Sequence, residues 1–262
     1  MHYTGIFCIV AIILSFAIYN ITHVLLTFCS VEARLAESVG RLLSSIAIVT
    51  FYISVFDRKS FGMKRQNFFR GTLTGILMLF ILIANVLLSI DELSEYPVIM
   101  PSLYLIVMII VEQIFVGIFE EFLFRGLILN TLLERTKHLQ YKGMIWSLLL
   151  SSLLFGLTHL VNLFDTPGLI NSTIVQIFFG IFTGVFLGAL YLRYRNIWVV
   201  VFYHALIDIA SELPVIFYDI PAAASEGAAD MPFNTVIPNI LANSVFLFIG
   251  LFLARKSKSK YA

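Results

Sequence analysis

Charged residues are scarce in this sequence. They make up 13% of its 262 residues, while hydrophobic residues make up 60%. A soluble globular protein is nearer one quarter charged and one half apolar. The formal net charge of +1 by itself says nothing about nucleic acid, and we expect no nucleic-acid partner. The composition excludes an ordinary soluble domain and indicates a polytopic helical membrane protein.

Cysteine is rare as well. Cys8 and Cys29 lie at opposite ends of the first apolar run, and a helix of that length would hold them roughly 30 Å apart. This separation excludes a disulfide between them, and no zinc-type cysteine spacing is present. The run lacks a basic stretch before it and a small-x-small cleavage pattern after it. We therefore expect a retained helix and not a signal peptide.

Apolar runs, by contrast, are long and frequent. Eight of them are long enough to span a bilayer as helices, at about 4–28, 39–56, 71–90, 101–122, 145–161, 173–192, 197–213 and 236–254. The predicted fold class is therefore all-α, a polytopic membrane protein with about eight transmembrane helices.

The connections between these runs alternate in charge. Segments 57–70 and 123–144 are basic, whereas 91–100 and 214–235 contain acidic residues and no Lys or Arg. The positive-inside rule then places both termini in the cytoplasm and the chain in the cell membrane. Arg34 and Arg41 fall on the outer side and are the weak point of this topology.

Two adjacent glutamates, Glu120 and Glu121, end the apolar run that begins near Pro101. A carboxylate at membrane depth costs several kcal/mol, and two like charges also repel each other. Glu121 and Arg125 are four residues apart, so on a helix they share a face and can form an ion pair. Glu120 points about 100° away and needs a partner on another helix, unless both glutamates only cap a helix end in water.

Two of the five histidines stand out, because His2, His23 and His138 lie near span ends or in loops. His159 is deep in the fifth run, four residues after Phe155, and His204 is in the seventh run, four residues before Asp208. A lone histidine in an apolar helix usually serves packing. Together with Glu120 and Asp208, however, the two histidines can satisfy one another in one polar cluster drawn from the fourth, fifth and seventh helices.

Glutamate, histidine and aspartate together indicate hydrolysis of an acyl bond by one of two routes. These groups are zinc ligands that leave a position open for water. Without a metal, a carboxylate can act as general base while imidazoles stabilise an oxyanion. The soluble zinc-protease motif and a serine-hydrolase signature are both absent.

The motifs as an ordered set resemble a known family. Glu-Glu-x-x-x-Arg at 120–125, Phe-x-x-x-His at 155–159 and His-x-x-x-Asp at 204–208 are similar to the three motifs of the CPBP family. This family, also called Abi, comprises intramembrane metalloproteases related to the type II CAAX prenyl endopeptidase. The resemblance covers roughly residues 100–213.

The resemblance implies an endopeptidase whose site lies inside the bilayer. Its catalytic residues would be Glu120, His159, His204 and Asp208, supported structurally by Glu121, Arg125 and Phe155. Glu120 would activate water, or ligate a divalent metal such as zinc together with His159 and His204. A metal-free, glutamate-activated water is the other route.

Position 208 departs from the common family pattern, because many members have asparagine there. An amide can donate a hydrogen bond to an oxyanion, whereas an ionised carboxylate cannot. Asp208 is thus protonated, a metal ligand, or an orienting partner for His204. We expect the site to face a water-filled cavity that opens toward the cytoplasm.

The expected organisation has three parts. Residues 1–100 form three helices and include a basic amphipathic cytoplasmic segment at 57–70. Residues 101–213 form the CPBP-like protease core. Residues 214–262 form an external loop, the last helix and a basic tail. Expected partners are the lipid bilayer and a peptide or membrane-associated protein substrate. Two alternatives are a non-catalytic protein that gives immunity to a bacteriocin-like peptide, and a proton-coupled transporter, although the inverted repeats of a transporter are not found.

Three smaller features allow more than one interpretation. Glu112 either extends the polar cavity or lines a substrate path, and Glu212 is interpreted as an outer interfacial residue. Gly180, Gly184 and Gly188 form a small-residue series that predicts close helix packing.

Overall fold

Helices dominate the computed structural model, which describes residues 3–55, 65–220 and 230–257. The helices are α1 Tyr3–Phe28, α2 Ala33–Val55, α3 Arg65–Thr74, α4 Ile76–Leu93, α5 Leu103–Glu121, α6 Asn130–Thr136, α7 Gln140–Thr158, α8 Asn162–Asp165, α9 Ile170–Tyr194, α10 Ile197–Glu212 and α11 Phe233–Arg255. A π-helical stretch, Phe122–Leu129, joins α5 to α6. The described ranges contain no strand beyond an isolated antiparallel bridge between Val98 and Tyr218. The predicted all-α fold is confirmed.

Six helical segments of the described chain are long and apolar enough to cross a membrane. One of them, Leu103–Phe164, runs for 62 residues and contains two of the predicted runs, 101–122 and 145–161. The apolar part of α1, Ile12–Phe28, is shorter. The chain is thus a multi-pass membrane protein, and eight spans remain a prediction.

Parts of three predicted features lie outside the described residues. These parts are residues 57–64 of the amphipathic segment, 221–229 of the external loop and 258–262 of the basic tail. The last helix begins at Phe233, three residues before the predicted start.

The helices form two compact units. The first comprises Met1–Ile128 and Asn196–Asp219. In it α2 packs on α1 and α5, and α10 packs on α4 and α5. Ser45 Oγ donates to the carbonyl of Phe115 at 2.8 Å, which sets that face of α2 against α5. The core of this unit is therefore built around α5, the helix that ends in the two glutamates.

The second unit comprises Leu129–Arg195 and Ile220–Ala262, and in it α9 packs between α7 and α11. A Cβ atom added at Gly184 would lie 3.0 Å from Ser152 Cβ, and one added at Gly188 would lie 2.5 Å from Leu148 Cδ1. Larger side chains would force α9 away from α7, so the glycine series lies at a helix contact, as the packing interpretation requires.

The segment before α11 is tied to the start of α9. The Asp230 carboxylate accepts hydrogen bonds from the backbone N–H groups of Asn171 at 2.8 Å and Ser172 at 2.9 Å. Ser172 Oγ donates to the same carboxylate at 2.9 Å. The first turn of a helix has N–H groups without helical partners, and a carboxylate there also meets the favourable end of the helix dipole.

Candidate active site

Helix α10 carries two of the predicted site residues on one face. It begins at Ile197 because Asn196 Oδ1 accepts the N–H of Trp198 at 3.0 Å, which satisfies one of the unpaired donors of the first turn. From this start, His204 and Asp208 are one helical turn apart and point the same way.

Helix α5 brings the glutamates to that face. Gly117 allows the two helices to approach closely, since a Cβ atom there would lie 3.1 Å from Val201 O and 3.3 Å from Ala205 N. Immediately after Glu121 the helix widens into the π-helical stretch, a rare conformation that often occurs at functional sites.

The His204 imidazole lies between three carboxyl groups. Its Nδ1 is 2.6 Å from Glu121 Oε1. Its Nε2 is 3.4 Å from both Glu120 Oε2 and Asp208 Oδ2. The side chain is almost fully buried, with 6% of its surface exposed. Both ring nitrogens therefore face a carboxylate, and the ring orientation is determined by two helices.

Glu121 also pairs with Arg125, as their spacing predicts. Arg125 Nη1 is 2.9 Å from Glu121 Oε1, and both side chains are buried. A buried charge is tolerated when it has an opposite charge close by. One carboxylate oxygen thus serves a guanidinium and an imidazole at the same time.

The sequence analysis missed the contact between Glu121 and His204, because it assigned Glu121 to a structural role only. The signal was the adjacency of the glutamates. Side chains of consecutive helical residues diverge by about 100°. Two such carboxylates can therefore reach the two nitrogens of one imidazole on a crossing helix.

The second unit holds Phe155 and His159. Their rings make an edge-to-face contact, with centroids 5.5 Å apart at 82°. His159 Nδ1 is 3.2 Å from the carbonyl of Gly156. A carbonyl can only accept, so Nδ1 is the donor in this hydrogen bond. The sequence predicted that His159 lies deep inside a helix, and the structure places it elsewhere. It lies just after the end of α7, where His159–Val161 turns as a 3₁₀ helix.

Comparison with protein families identifies the segment that contains all three motifs. Residues 102–210 match the model of the type II CAAX prenyl endopeptidase Rce1-like family. The chain carries an Rce1-like domain. This finding is consistent with the CPBP family and confirms the predicted resemblance. The comparisons with curated proteins and with solved structures gave no match.

The Rce1-like domain extends from the start of α5 to the end of α10. It includes the glutamate pair, both site histidines and Asp208, while α1–α4 and α11 lie outside the matched residues. The family is one of membrane endopeptidases. The roles of the individual side chains remain predictions.

Part of the cluster around His204 has the spacing that two ligands of one metal ion require. The 3.4 Å separations around His204 Nε2 suit two ligands of one zinc ion, which bind at about 2.0–2.2 Å. Within the described ranges, however, no group of three or more His, Cys, Asp or Glu side chains is arranged to hold a metal ion. No catalytic step below uses a metal.

An apolar cavity of about 620 Å³ lies in the first unit, between α4 and α10. From α10 it is lined by Leu206, Ile209 and Leu213, which point roughly 140–200° away from His204 at 100° per residue. The cavity therefore lies on the other side of the helix from the carboxylates and offers no group for the chemistry.

Proposed function

We propose that this protein is an intramembrane endopeptidase that hydrolyses peptide bonds of membrane-associated or secreted-peptide substrates. The observation that supports it best is the imidazole of His204, which is oriented by Glu121 on one nitrogen and faces Glu120 and Asp208 with the other. General acid–base chemistry needs such side chains within reach of one another and of the reacting atoms.

The proposed reaction begins at Glu120. Its carboxylate takes a proton from water as the water oxygen bonds to the carbonyl carbon of the peptide, and the carbonyl electron pair moves onto oxygen. The carbon–nitrogen bond then breaks as the oxyanion collapses. The proton on Glu120 passes to the leaving nitrogen, so the products are a carboxylic acid and an amine.

His204 is the oxyanion donor in this scheme. The three carboxylates and the Arg125 guanidinium sum to a net charge of −2 (three negative charges and one positive), and a proton on the imidazole reduces it to −1. The protonated ring donates from Nδ1 to Glu121 and from Nε2 toward the developing oxyanion. Asp208 lies 3.4 Å from Nε2 and orients the ring. An asparagine at this position could do the same.

The proposal is tested on the purified full chain in phospholipid vesicles with a library of internally quenched peptides. The unchanged protein should cleave some of them and incorporate one ¹⁸O atom from labelled water into each new carboxyl group. Glu120→Gln and His204→Ala should each lower the rate at least about a hundredfold. Glu134→Gln, a change in an exposed surface ion pair, is the control and should retain full activity.

The same assay tests the predictions made for a bound metal and for His159. A chelator arm tests the metal ligation predicted for Glu120, His159 and His204, and His159→Ala tests the role of that residue in catalysis. Cleavage at the normal rate by all three variants would contradict the proposal. Immunity to a bacteriocin-like peptide that survives all three substitutions would favour the non-catalytic alternative.

A further inference from the structure

Helix α3 packs against α10 directly beside His204. The rings of Phe68 and Phe202 make an edge-to-face contact, with centroids 6.2 Å apart at 67°. The Tyr203 hydroxyl donates to the carbonyl of Thr72 at 2.5 Å, and the tyrosine side chain is fully buried. Phe68 and Thr72 are one helical turn apart and share a face. One face of α3 is therefore held against the helix that carries the proposed catalytic histidine.

Tyr203 fills the break between α3 and α4. Gly75 separates the two helices, and a Cβ atom there would lie 2.5 Å from Tyr203 Cε2. The last carbonyls of a helix lack helical donors, and the Tyr203 hydroxyl donates to the carbonyl of Thr72 in the last turn of α3. Contact with α10 therefore stabilises the last turn of α3 and fixes the tyrosine ring at the same time.

The outward face of α3 is exposed and combines arginine with large apolar side chains. Phe69, Arg70 and Leu73 point about 100–200° away from Phe68 at 100° per residue. Phe69 and Leu73 are 58% and 68% exposed, and Arg70 is exposed as well. Arg65 is also exposed, and its guanidinium lies 5.6 Å from the centroid of the Phe69 ring. The helix contains no acidic residue, so this face is apolar and positively charged.

The chemistry of this face fits the headgroup region of a membrane leaflet that contains anionic phospholipids. Helix α3 immediately precedes α4, which is long and apolar enough to span the membrane. Its first residues belong to the basic connection 57–70, which the positive-inside rule places at the inner surface. Exposed aromatic and leucine side chains enter the boundary between headgroups and acyl chains. Arginine side chains beside them pair with lipid phosphates.

We propose that the outward face of α3 binds anionic phospholipid headgroups and that this binding promotes catalysis through Tyr203. Lipid binding on one face and contact with α10 on the other stabilise the same helical turns of α3, so each favours the other. Tyr203 is the residue before His204 on α10, and fixing its ring fixes the rotation of that turn. Tyr203 is thus a positioning residue and touches no reacting group. The regulation of catalysis rests on the proposed function, whereas the lipid binding does not.

The first test measures lipid binding without requiring activity. Gln66→Cys, at an exposed position on the outward face, is made in a chain that also carries Cys8→Ser and Cys29→Ser, and the thiol is labelled with bimane. The full chain is placed in phosphatidylcholine vesicles that contain, at equal mole fraction, either brominated phosphatidylglycerol or brominated phosphatidylcholine as the quencher. Phosphatidylglycerol should quench the fluorescence at least about twofold more strongly. Equal quenching by the two lipids would overturn the proposal, whatever the protein's activity.

The two arginines are tested in the same labelled chain. Arg65→Gln combined with Arg70→Gln should abolish the preference for phosphatidylglycerol. Arg135→Gln combined with Lys142→Gln is the matched control, because it removes two exposed cations from the basic connection 123–144 of the second unit. The control should retain the preference. An equal loss in both double variants would assign the effect to the overall charge of the protein and would overturn the assignment to α3.

The second test measures regulation with the quenched peptides. Adding phosphatidylglycerol to phosphatidylcholine vesicles should raise kcat of the unchanged protein at least about threefold and leave KM unchanged. Tyr203→Phe removes only the hydroxyl that bonds to Thr72 O and should lose this increase. Tyr104→Phe, a change at an exposed tyrosine, is the control and should keep it.

The outcomes separate the regulation from the proposed function. A kcat that does not respond to phosphatidylglycerol, or a normal response in Tyr203→Phe, would overturn the regulation and leave the proposed function standing. If cleavage does not depend on Glu120 in either lipid, the proposed function has failed and the regulation fails with it. If Tyr203→Phe does not fold, as judged by thermal unfolding, Gly75→Ala takes its place, because the added Cβ would displace the tyrosine ring and should also remove the lipid response.

Discussion

His204 shows how much chemistry two neighbouring glutamates can direct at one side chain. Glu121 contacts one ring nitrogen at 2.6 Å and Glu120 lies 3.4 Å from the other. Because Glu121 also pairs with Arg125, the guanidinium indirectly holds the imidazole. Arg125 and His204 therefore contact the same atom, Glu121 Oε1. A substitution at either residue is expected to alter the position of the other.

Replacing Glu121 should damage folding and chemistry together. Glu121→Gln removes the negative charge that lies 2.9 Å from the buried Arg125 guanidinium, so we expect a loss of about 3–5 kcal/mol in the free energy of unfolding, measured by denaturant titration in detergent. Glu134→Gln is the control, because its pair with Lys137 is about 70% exposed and is worth at most about 1 kcal/mol. If Glu121→Gln is stable but inactive while Glu120→Gln keeps full activity, the two roles have been assigned the wrong way round.

At the scale of helices, the geometry of the site depends on the crossing of α5 and α10. The backbones approach closely at Gly117, where a Cβ atom would make a tight contact of 3.1 Å with Val201 O. The π-helical stretch after Glu121 then turns Arg125 back into the buried interior. Neither the close approach at Gly117 nor the π-helical stretch changes the spacing of hydrophobic residues, so neither could be predicted from that spacing.

Gly117→Ala should separate the carboxylates from His204. The added Cβ would lie 3.1 Å from Val201 O, so the two helices must separate by a few tenths of an ångström. The reacting groups on both helices then move apart, and catalysis is sensitive to small misplacements of this kind. We expect peptide cleavage to fall at least tenfold with a modest loss of stability. Gly168→Ala is the control, since nothing lies within 4 Å of that position. Equal activity of the two variants would contradict this account of the crossing.

The junction of Asp230 with α9 should depend on pH. Desolvation acts to raise the pKa of Asp230, but hydrogen bonds from Ser172, Asn171 and Met231 outweigh it and hold the pKa below its ordinary value of 3.8. A carboxyl group with a depressed folded-state pKa stabilises above its unfolded pKa, and the contribution is lost as pH falls through the folded value. The unfolding temperature of Asp230→Asn should therefore lie below that of the unchanged chain at pH 7. The difference should shrink below about pH 4.

Asp219→Asn, a change at an exposed residue, is the control for that measurement. It should leave the unfolding temperature unchanged at both pH values. A constant difference between Asp230→Asn and the unchanged chain from pH 7 to pH 3 would contradict the assignment of the carboxylate to the start of α9.

For the whole molecule, the segregation of charge among the connections is the feature that sets orientation. Basic residues gather in 57–70, 123–144 and the tail, and the acidic connections lie between them. Since Arg34 contacts Glu112 and Glu212, a cation on the acidic side is compensated by carboxylates of the same unit. The exception to the charge pattern thus has a local explanation in the fold.

Both termini are expected in the cytoplasm. Epitope tags added to the two ends should be protected from an impermeant protease in sealed right-side-out vesicles and become accessible after permeabilisation. Cleavage of either tag in intact vesicles would reverse the orientation proposed for the chain.

The all-α membrane class, the i,i+4 pair of Glu121 with Arg125, the shared face of His204 with Asp208, and the family resemblance could all be predicted before folding was considered. Each of these depends on composition or on spacing within one helix, where the period of 3.6 residues is known in advance. Two contacts are visible only in the folded chain, that of Glu121 with His204 and that of Arg34 with Glu212. Those contacts join residues 83 and 178 positions apart, and they depend on how closely particular helices approach, which backbone widening and the absence of one Cβ atom control.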